Sequence, residues 1–276
     1  MGSSMSLRRN VGFAAVVASA AWWAFAACAK PAARPAQAAS ATKLRLKVVR
    51  TFPHDPRAFT QGLFFFEGKF YESTGLYGRS SLRRVDPDSG VVERGVDLPA
   101  DLFGEGVTRV GGRLVQLTWQ NGRALVWNLA TLRKEREIAY QGEGWGLCFD
   151  GRHLIASDGS DRLALRDPES FARVSEIAVR RAGQPLRNLN ELECVEGIVY
   201  ANVWQDSHIA RIDARTGEVT GWIDASGLLS PDEARGADVL NGIAYLPASG
   251  HLAVTGKLWP RIFEVEIVPD APPAAK

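Results

Sequence analysis

The chain has 276 residues, of which 46% are hydrophobic and 23% charged, with a formal net charge of +2. That is enough for one large all-β domain or two small ones. The near-balanced charge, with no run of one sign, argues against a partner such as nucleic acid, and the only unusual count is eight tryptophans.

The N-terminus reads as an export signal. Arg8 and Arg9 precede an apolar run from Val11 to Ala27 that is too short and too alanine-rich for a membrane-spanning anchor. Two processing routes stay open. Phe25-Ala26-Ala27-Cys28 resembles a lipoprotein cleavage box, with Phe an unusual first residue, and cleavage there leaves a lipid-modified Cys28; ordinary signal-peptidase cleavage after Ala38 is the other. Both predict an extracytoplasmic protein, periplasmic or secreted, and the first adds a membrane tether through Cys28. The Ala/Pro-rich stretch that follows has no periodicity and reads as a flexible linker. The expected organisation is residues 1–28 as signal, 29–43 as tether, 44–268 as one folded domain and 269–276 as tail.

Five segments then share one layout: a small polar start, a strand, a glycine-containing turn, a second strand, a charged turn and a third strand. They begin near Thr60, Gly104, Gly144, Asn190 and Asn241. Glu67-Gly68, Gly111-Gly112, Asp150-Gly151 and Glu196-Gly197 lie between apolar runs and read as hairpin turns, because glycine supplies the positive φ that tight turns need. The marker positions Gly62, Gly106, Gly146, Leu192 and Gly242 are separated by 44, 40, 46 and 50 residues. Blade-sized periods with several short strands each predict an all-β, five-bladed β-propeller with a central channel. The one helix signal is Ser230 to Arg235, with Ser at the cap and Pro in the first turn.

In such a ring the repeat starts gather at one mouth of the channel. Gln61, Glu105, Trp145, Asn190 or Glu191, and Asn241 are therefore expected to converge. Glu105 stands out among them, because Gly104 and Gly106 on either side let backbone and ligand come close to its carboxylate. Asn241 is read as lining the channel or binding a structural cation. Trp127, Trp222 and Trp259 are assigned to core or surface, Phe64 to Phe66 to strand core, and Asp86 and Asp158 to hairpins. The histidines are scattered and there is no Cys-x-x-Cys, so no metal site is expected. Cys148 and Cys194 each follow a marker position by two residues, which places them on adjacent inner strands. An exported protein permits a disulfide there, but two buried free thiols are the preferred reading.

Ordered stretches covering most of residues 48 to 267 resemble a known family. They include Phe52-Pro53-His54-Asp55-Pro56, Phe59-Thr60-Gln61-Gly62-Leu63, Phe103-Gly104-Glu105-Gly106, Gln116-Leu117-Thr118-Trp119, Gly144-Trp145-Gly146-Leu147, Leu189-Asn190-Glu191-Leu192-Glu193, Ala201-Asn202-Val203-Trp204-Gln205 and Thr255-Gly256-Lys257. The sequence resembles the plant and bacterial glutaminyl-peptide cyclotransferases, which are five-bladed propellers. The resemblance implies conversion of an N-terminal glutamine of a peptide or protein into pyroglutamate with release of ammonia, by a monomer that needs no cofactor. It further implies Glu105 as the acid/base, Gln61, Asn190 and Lys257 as polar contacts, and Phe59, Phe103, Trp119, Trp145 and Trp204 as an aromatic pocket.

The chemistry suits those residue types. The free α-amine attacks the γ-amide carbon of its own residue, so the protein has only to fold the side chain back and move protons. One carboxylate can take the proton from the amine and return it to the leaving nitrogen. Two rival readings stand beside this one: a Ca²⁺-dependent propeller hydrolase such as a lactonase, with Glu105, Asn190 and Asn241 as oxygen ligands, and a propeller that binds peptides without turnover.

Overall fold

The computed structural model describes residues 40–270. The export signal, Cys28 and most of the linker lie outside the described residues, as does the tail beyond 270. The described part is all-β, with a single one-turn helix at Pro231–Ala234. No helix among the described residues is long and apolar enough to cross a membrane.

Three separate four-stranded antiparallel sheets come first. The first holds Thr60–Phe66, Lys69–Thr74, Ser81–Val85 and Val92–Asp97. The second holds Gly104–Val110, Arg113–Thr118, Arg123–Asn128 and Lys134–Ala139. The third holds Leu147–Phe149, Leu154–Ala156, Arg162–Arg166 and Arg173–Ala178. Arg180–Arg181 and Gln184–Pro185 pair as a short two-stranded sheet, and the other strands form one eight-stranded sheet. One half of it is Leu189–Val195, Ile198–Val203, His208–Asp213 and Val219–Asp224. The other half is Leu240–Leu246, His251–Gly256, Arg261–Pro269 and, from the other end of the chain, Thr42–Pro53.

Thr42–Pro53 joins the halves: it runs parallel to residues 221–224 and antiparallel to residues 261–269. It begins two residues inside the segment read as tether, and no repeat pattern marks it. The chain thus closes on itself through a pairing between its first and last strands.

Within the three separate four-stranded sheets the first strand is largely buried and the fourth largely exposed, whereas Val219–Asp224 is mostly buried because Thr42–Pro53 pairs beside it. Gly104–Val110 and Lys134–Ala139 are representative. The sequence shows the same gradient, from GEGVTRV to KEREIA. The five first strands touch in a closed cycle: Thr60–Phe66 with Gly104–Val110, then Leu147–Phe149, Leu189–Val195, Leu240–Leu246 and back to the first. Each junction between neighbouring units carries its own apolar cluster. Phe64 and Tyr71 meet Val107, Leu114 and Leu125 at the first junction; Phe52, Phe70 and Leu63 meet Ala244, Ala253 and Ile262 where the cycle closes. Burying one such side chain stabilises the fold by about 1.5–3 kcal/mol, so these junctions, rather than one central core, hold the propeller-like arrangement together.

The glycines near Glu105 serve this packing: they admit neighbouring backbone, as expected, and the space beside them is filled by protein rather than left for a ligand. A Cβ on Gly62 would lie 2.5 Å from the Val107 nitrogen, one on Gly106 2.6 Å from both the Leu147 nitrogen and the Trp145 oxygen, and one on Gly146 1.9 Å from the Asn190 oxygen. At these three marker glycines the backbone of the next inner strand presses in, whereas Gly242 faces the side chains of Thr255 and Thr60. Gly104 is likewise filled, by the Thr74 carbonyl and the Gln116 amide.

That close approach also overturns the preferred reading of the cysteines. Cys148, two residues beyond Gly146, and Cys194, four beyond Asn190, are joined by a disulfide with Cα atoms 5.5 Å apart, inside the range that bridging requires. The Asp150-Gly151 turn is longer than expected: Leu154, not Arg152, begins the second strand, because the Asp150 carboxylate accepts the N–H groups of Arg152 and His153 at 2.7 and 2.6 Å and holds a four-residue loop.

Candidate active site

Four of the five inner strands carry a register shift at their start. The shifts fall between Thr60 and Gly62, Gly104 and Val107, Leu189 and Leu192, and Leu240 and Ile243. The residues inside them are Gln61, Glu105, Asn190-Glu191 and Asn241. A bulge breaks strand alternation and re-aims a side chain: Gln61, Glu105 and Asn190 face one place, while Glu191 and Asn241 turn to protein partners.

That place is a cavity of about 390 Å³. All nine site candidates line it: Phe59, Gln61, Phe103, Glu105, Trp119, Trp145, Asn190, Trp204 and Lys257. Its wall also includes Gln205, Asp238 and Val239, which sequence reasoning missed because they sit in loops without a repeat signature.

Glu105, Gln61, Asn190 and Lys257 are all buried. The Gln61 amide donates to Glu105 Oε1 at 2.9 Å. Asn241, itself fully buried, donates to the Thr60 carbonyl at 2.9 Å and to Gln61 Oε1 at 3.1 Å. That second bond fixes which end of the Gln61 amide faces Glu105. Asn241 therefore acts behind Gln61, its side chain directed at a protein neighbour. The side-chain amide of Asn190 makes no hydrogen bond to another described residue, and the Lys257 ammonium forms no ion pair among them; the Nζ sits 4.8 Å from the centre of the Phe59 ring.

Burial pushes the Glu105 carboxyl well above the usual carboxylate range; the positive charge of Lys257 opposes this and the negative charge of Glu143 adds to it. Burial likewise pulls the Lys257 ammonium below its ordinary value, against the charges of Glu105 and Asp238. The two groups thus pull one another toward the charged forms while desolvation pushes both toward neutrality.

Aromatic rings form the walls. Trp145 meets Trp204 edge-on with centroids 5.7 Å apart, and Phe103 meets Trp119 at 5.5 Å and Phe59 at 6.2 Å. Trp204 is the most open of them, at 38% exposure. Two glycines seat the rings: Gly75 leaves room for Phe103 and Gly159 for Trp145, since a Cβ at either would fall within 2.7 Å of the ring.

A further missed residue is Glu143. Its Oε2 accepts the indole N–H of Trp119 at 2.9 Å and of Trp145 at 3.0 Å, and its Oε1 accepts from Gln120 at 3.1 Å. One carboxylate clamps two wall tryptophans, Trp119 just past the strand Arg113–Thr118 and Trp145 just before the strand Leu147–Phe149. Burial works against its charge, but the donors of Trp145, Gln120 and Trp119 outweigh that and hold its pKa below the ordinary value. The signal in sequence was only its place, two residues before Trp145.

The other tryptophans lie where expected: Trp127, Trp222 and Trp259 are buried in the packing between sheets, Trp259 donating to the Asp238 carbonyl at 2.8 Å. Asp86 and Asp158 accept backbone N–H groups within their turns. His54 is buried against Glu72 at 2.9 Å, a structural pair. Among the described residues no three His, Cys, Asp or Glu side chains cluster as a metal would need.

Comparison with known proteins agrees with this geometry. Residues 19–267 match the family model described as glutamine cyclotransferase. The chain is 43% identical over 228 residues to the glutaminyl-peptide cyclotransferase of Arabidopsis thaliana, covering 80% of this chain and 71% of that protein. The crystal structure of Myxococcus xanthus glutaminyl cyclase superposes with a TM-score of 0.76 at 40% identity, covering 84% of this chain and all of that one.

Proposed function

The chain belongs to the glutamine cyclotransferase family, and from that premise we propose that it cyclises the N-terminal glutamine of peptides or proteins to pyroglutamate, releasing ammonia, by general acid/base catalysis without a metal. The observation that carries this reading is a single buried carboxylate of raised proton affinity, oriented by an amide, inside an aromatic cavity.

Glu105 takes a proton from the substrate's α-amine, which attacks the γ-amide carbon, and returns it to the departing nitrogen. A carboxyl whose affinity is raised toward that of an amine makes both transfers closer to thermoneutral. Asn190 and Lys257, whose donors face the cavity unspent, stabilise the oxyanion that develops on the γ-oxygen; one such donor is worth about 3 kcal/mol. The indoles exclude water and favour the neutral amine that must attack.

Several further readings are part of the proposal. The architecture is a five-bladed propeller, supported by the closed cycle of five inner strands and one apolar cluster per junction. The chain acts as an extracytoplasmic monomer, either released after signal cleavage or held at the membrane through Cys28; a shift of the protein from the membrane to the soluble fraction in Cys28→Ala separates the two. The direct test of function is ammonia release from a glutamine-initiated dipeptide. Absence of release, or loss of it on treatment with a chelator, rejects the reading; the latter result favours the Ca²⁺-dependent hydrolase.

A further inference from the structure

Cyclisation requires both the α-amine and the γ-amide of the substrate's first residue to lie inside the cavity, so the rest of the peptide must leave through its mouth. Two neighbouring depressions offer exits. One, of about 160 Å³, shares Phe59 with the cavity and is lined by Asp55, Arg57, Arg79 and Arg83. Its charges are largely committed to one another: Arg83 contacts Asp55 at 3.1 Å and Glu72 at 3.7 Å, and Arg57 contacts Asp55 at 3.2 Å. The Phe59 ring that divides it from the cavity is already covered by Lys257.

The other is a groove of about 360 Å³ that shares two wall residues with the cavity, Gln205 and Val239. Its lining includes Ala225, Leu228, Leu229 and Trp259, with Asp206 and Ser226 also bordering it. It is built by the connection 225–239, which carries the helix. This connection is held firmly: Ser230 caps the helix in a reciprocal capping box, and Glu233 pairs with Arg261 at 2.5 Å. Its end is tied to the site itself, because Lys257 donates its backbone N–H to the Val239 carbonyl and accepts that of Asp238, both at 2.9 Å. The wall of the groove and the cation of the site thus share one clamp.

We infer that this groove binds the residues that follow the reactive glutamine and selects an apolar side chain at the second or third position of the peptide. The inference rests on the cyclotransferase reading and deepens it. Continuity through Gln205 and Val239 sets the route, since an extended chain advances only about 3.3–3.6 Å per residue, and the apolar floor sets the chemistry.

The experiment measures kcat/KM of the full chain for glutamine amide, Gln-Gly-Gly, Gln-Leu-Gly, Gln-Gly-Leu and Gln-Glu-Gly. It then repeats the series with Ser226→Trp, which fills the groove from an exposed position, and Leu229→Asp, which makes its floor charged. The expected result is about a tenfold preference for one of the leucine peptides over Gln-Gly-Gly. In both variants that preference falls to within about twofold while glutamine amide is turned over as before. No leucine preference in the parent chain, an unchanged preference in both variants, or a preference for Gln-Glu-Gly overturns the inference, the last directing the peptide toward the arginine-lined side. Loss of glutamine-amide turnover in both variants also overturns it, assigning the groove to the fold. A parent chain that cyclises no glutamine substrate fails the cyclotransferase reading instead.

Discussion

Replacing Glu105 by Gln isolates proton transfer from everything else the site does. Gln has the same length, and its Oε1 can still accept the Gln61 amide that reaches Glu105 at 2.9 Å, so the Asn241–Gln61 relay is kept. What is lost is the capacity to carry a proton, typically worth 10²–10⁴ in rate, or about 2.7–5.5 kcal/mol of barrier. Glu105→Asp makes the complementary change. It keeps the acid but withdraws it by about one methylene, roughly 1.5 Å, which breaks the bond to Gln61. The expected order of kcat is therefore wild type, then Asp, then Gln, with Gln down at least about 100-fold and KM nearly unchanged, since the aromatic walls are untouched. Ammonia release under saturating glutamine peptide measures it. A Gln variant within tenfold of wild type would refute Glu105 as the proton carrier and return the cavity to a binding role.

Glu143 should separate two effects. Its charge raises the Glu105 pKa, and activity needs Glu105 in its base form, so activity falls as pH drops through that raised value. Removing the charge with Glu143→Gln moves this acidic limb to lower pH, whereas Glu143→Ala also frees the indoles of Trp119 and Trp145 and raises KM; a pH–rate profile that stays put in both variants contradicts the assignment. Gly146→Ala places a Cβ 1.9 Å from the Asn190 oxygen, and is expected to cost about 3 kcal/mol or more, lowering Tm by at least about 6 °C; scanning calorimetry decides. The disulfide spans a sequence separation of 46 residues, for which loop closure alone predicts about 4 kcal/mol, so Cys148→Ala with Cys194→Ala should lower Tm by roughly 8–16 °C. Glu191 accepts the backbone N–H groups of Leu63 and Ile243 at 3.2 and 2.8 Å. Glu191→Gln turns a donor toward one of them and should cost about 1–3 kcal/mol, read as a lower urea midpoint.

Much of the fold and site can be read from residues alone, for identifiable reasons. The hairpin turns announce themselves because positive φ demands glycine, as at Gly68 and Gly197. The repeat spacing places Gln61, Glu105, Trp145, Asn190 or Glu191, and Asn241 at equivalent points, and a ring brings equivalent points together; that Asn190 rather than Glu191 lines the cavity, and that Asn241 sits behind Gln61, is visible only in the fold. The helix at Pro231–Ala234 follows from a cap and a proline, both local signals. Long-range facts are different. That Thr42–Pro53 closes the last sheet depends on pairing with strands more than 170 residues away, and nothing in its own composition records the partner. The role of Glu143 exists only because two tryptophans flanking strands of separate sheets point at one carboxylate. The disulfide depends on how near two backbones come at Gly146, a packing distance that no spacing encodes.

Local conformational preference and periodicity, then, were sufficient for the repeat, its turns and the positions at which each repeat starts, because those are properties of neighbouring residues. Ring closure, the thiol bond, the orientation of each side chain by its bulge and the groove beside the cavity were decided only by the folded chain, because they arise from contacts between segments whose separation along the sequence carries no energetic record of their meeting.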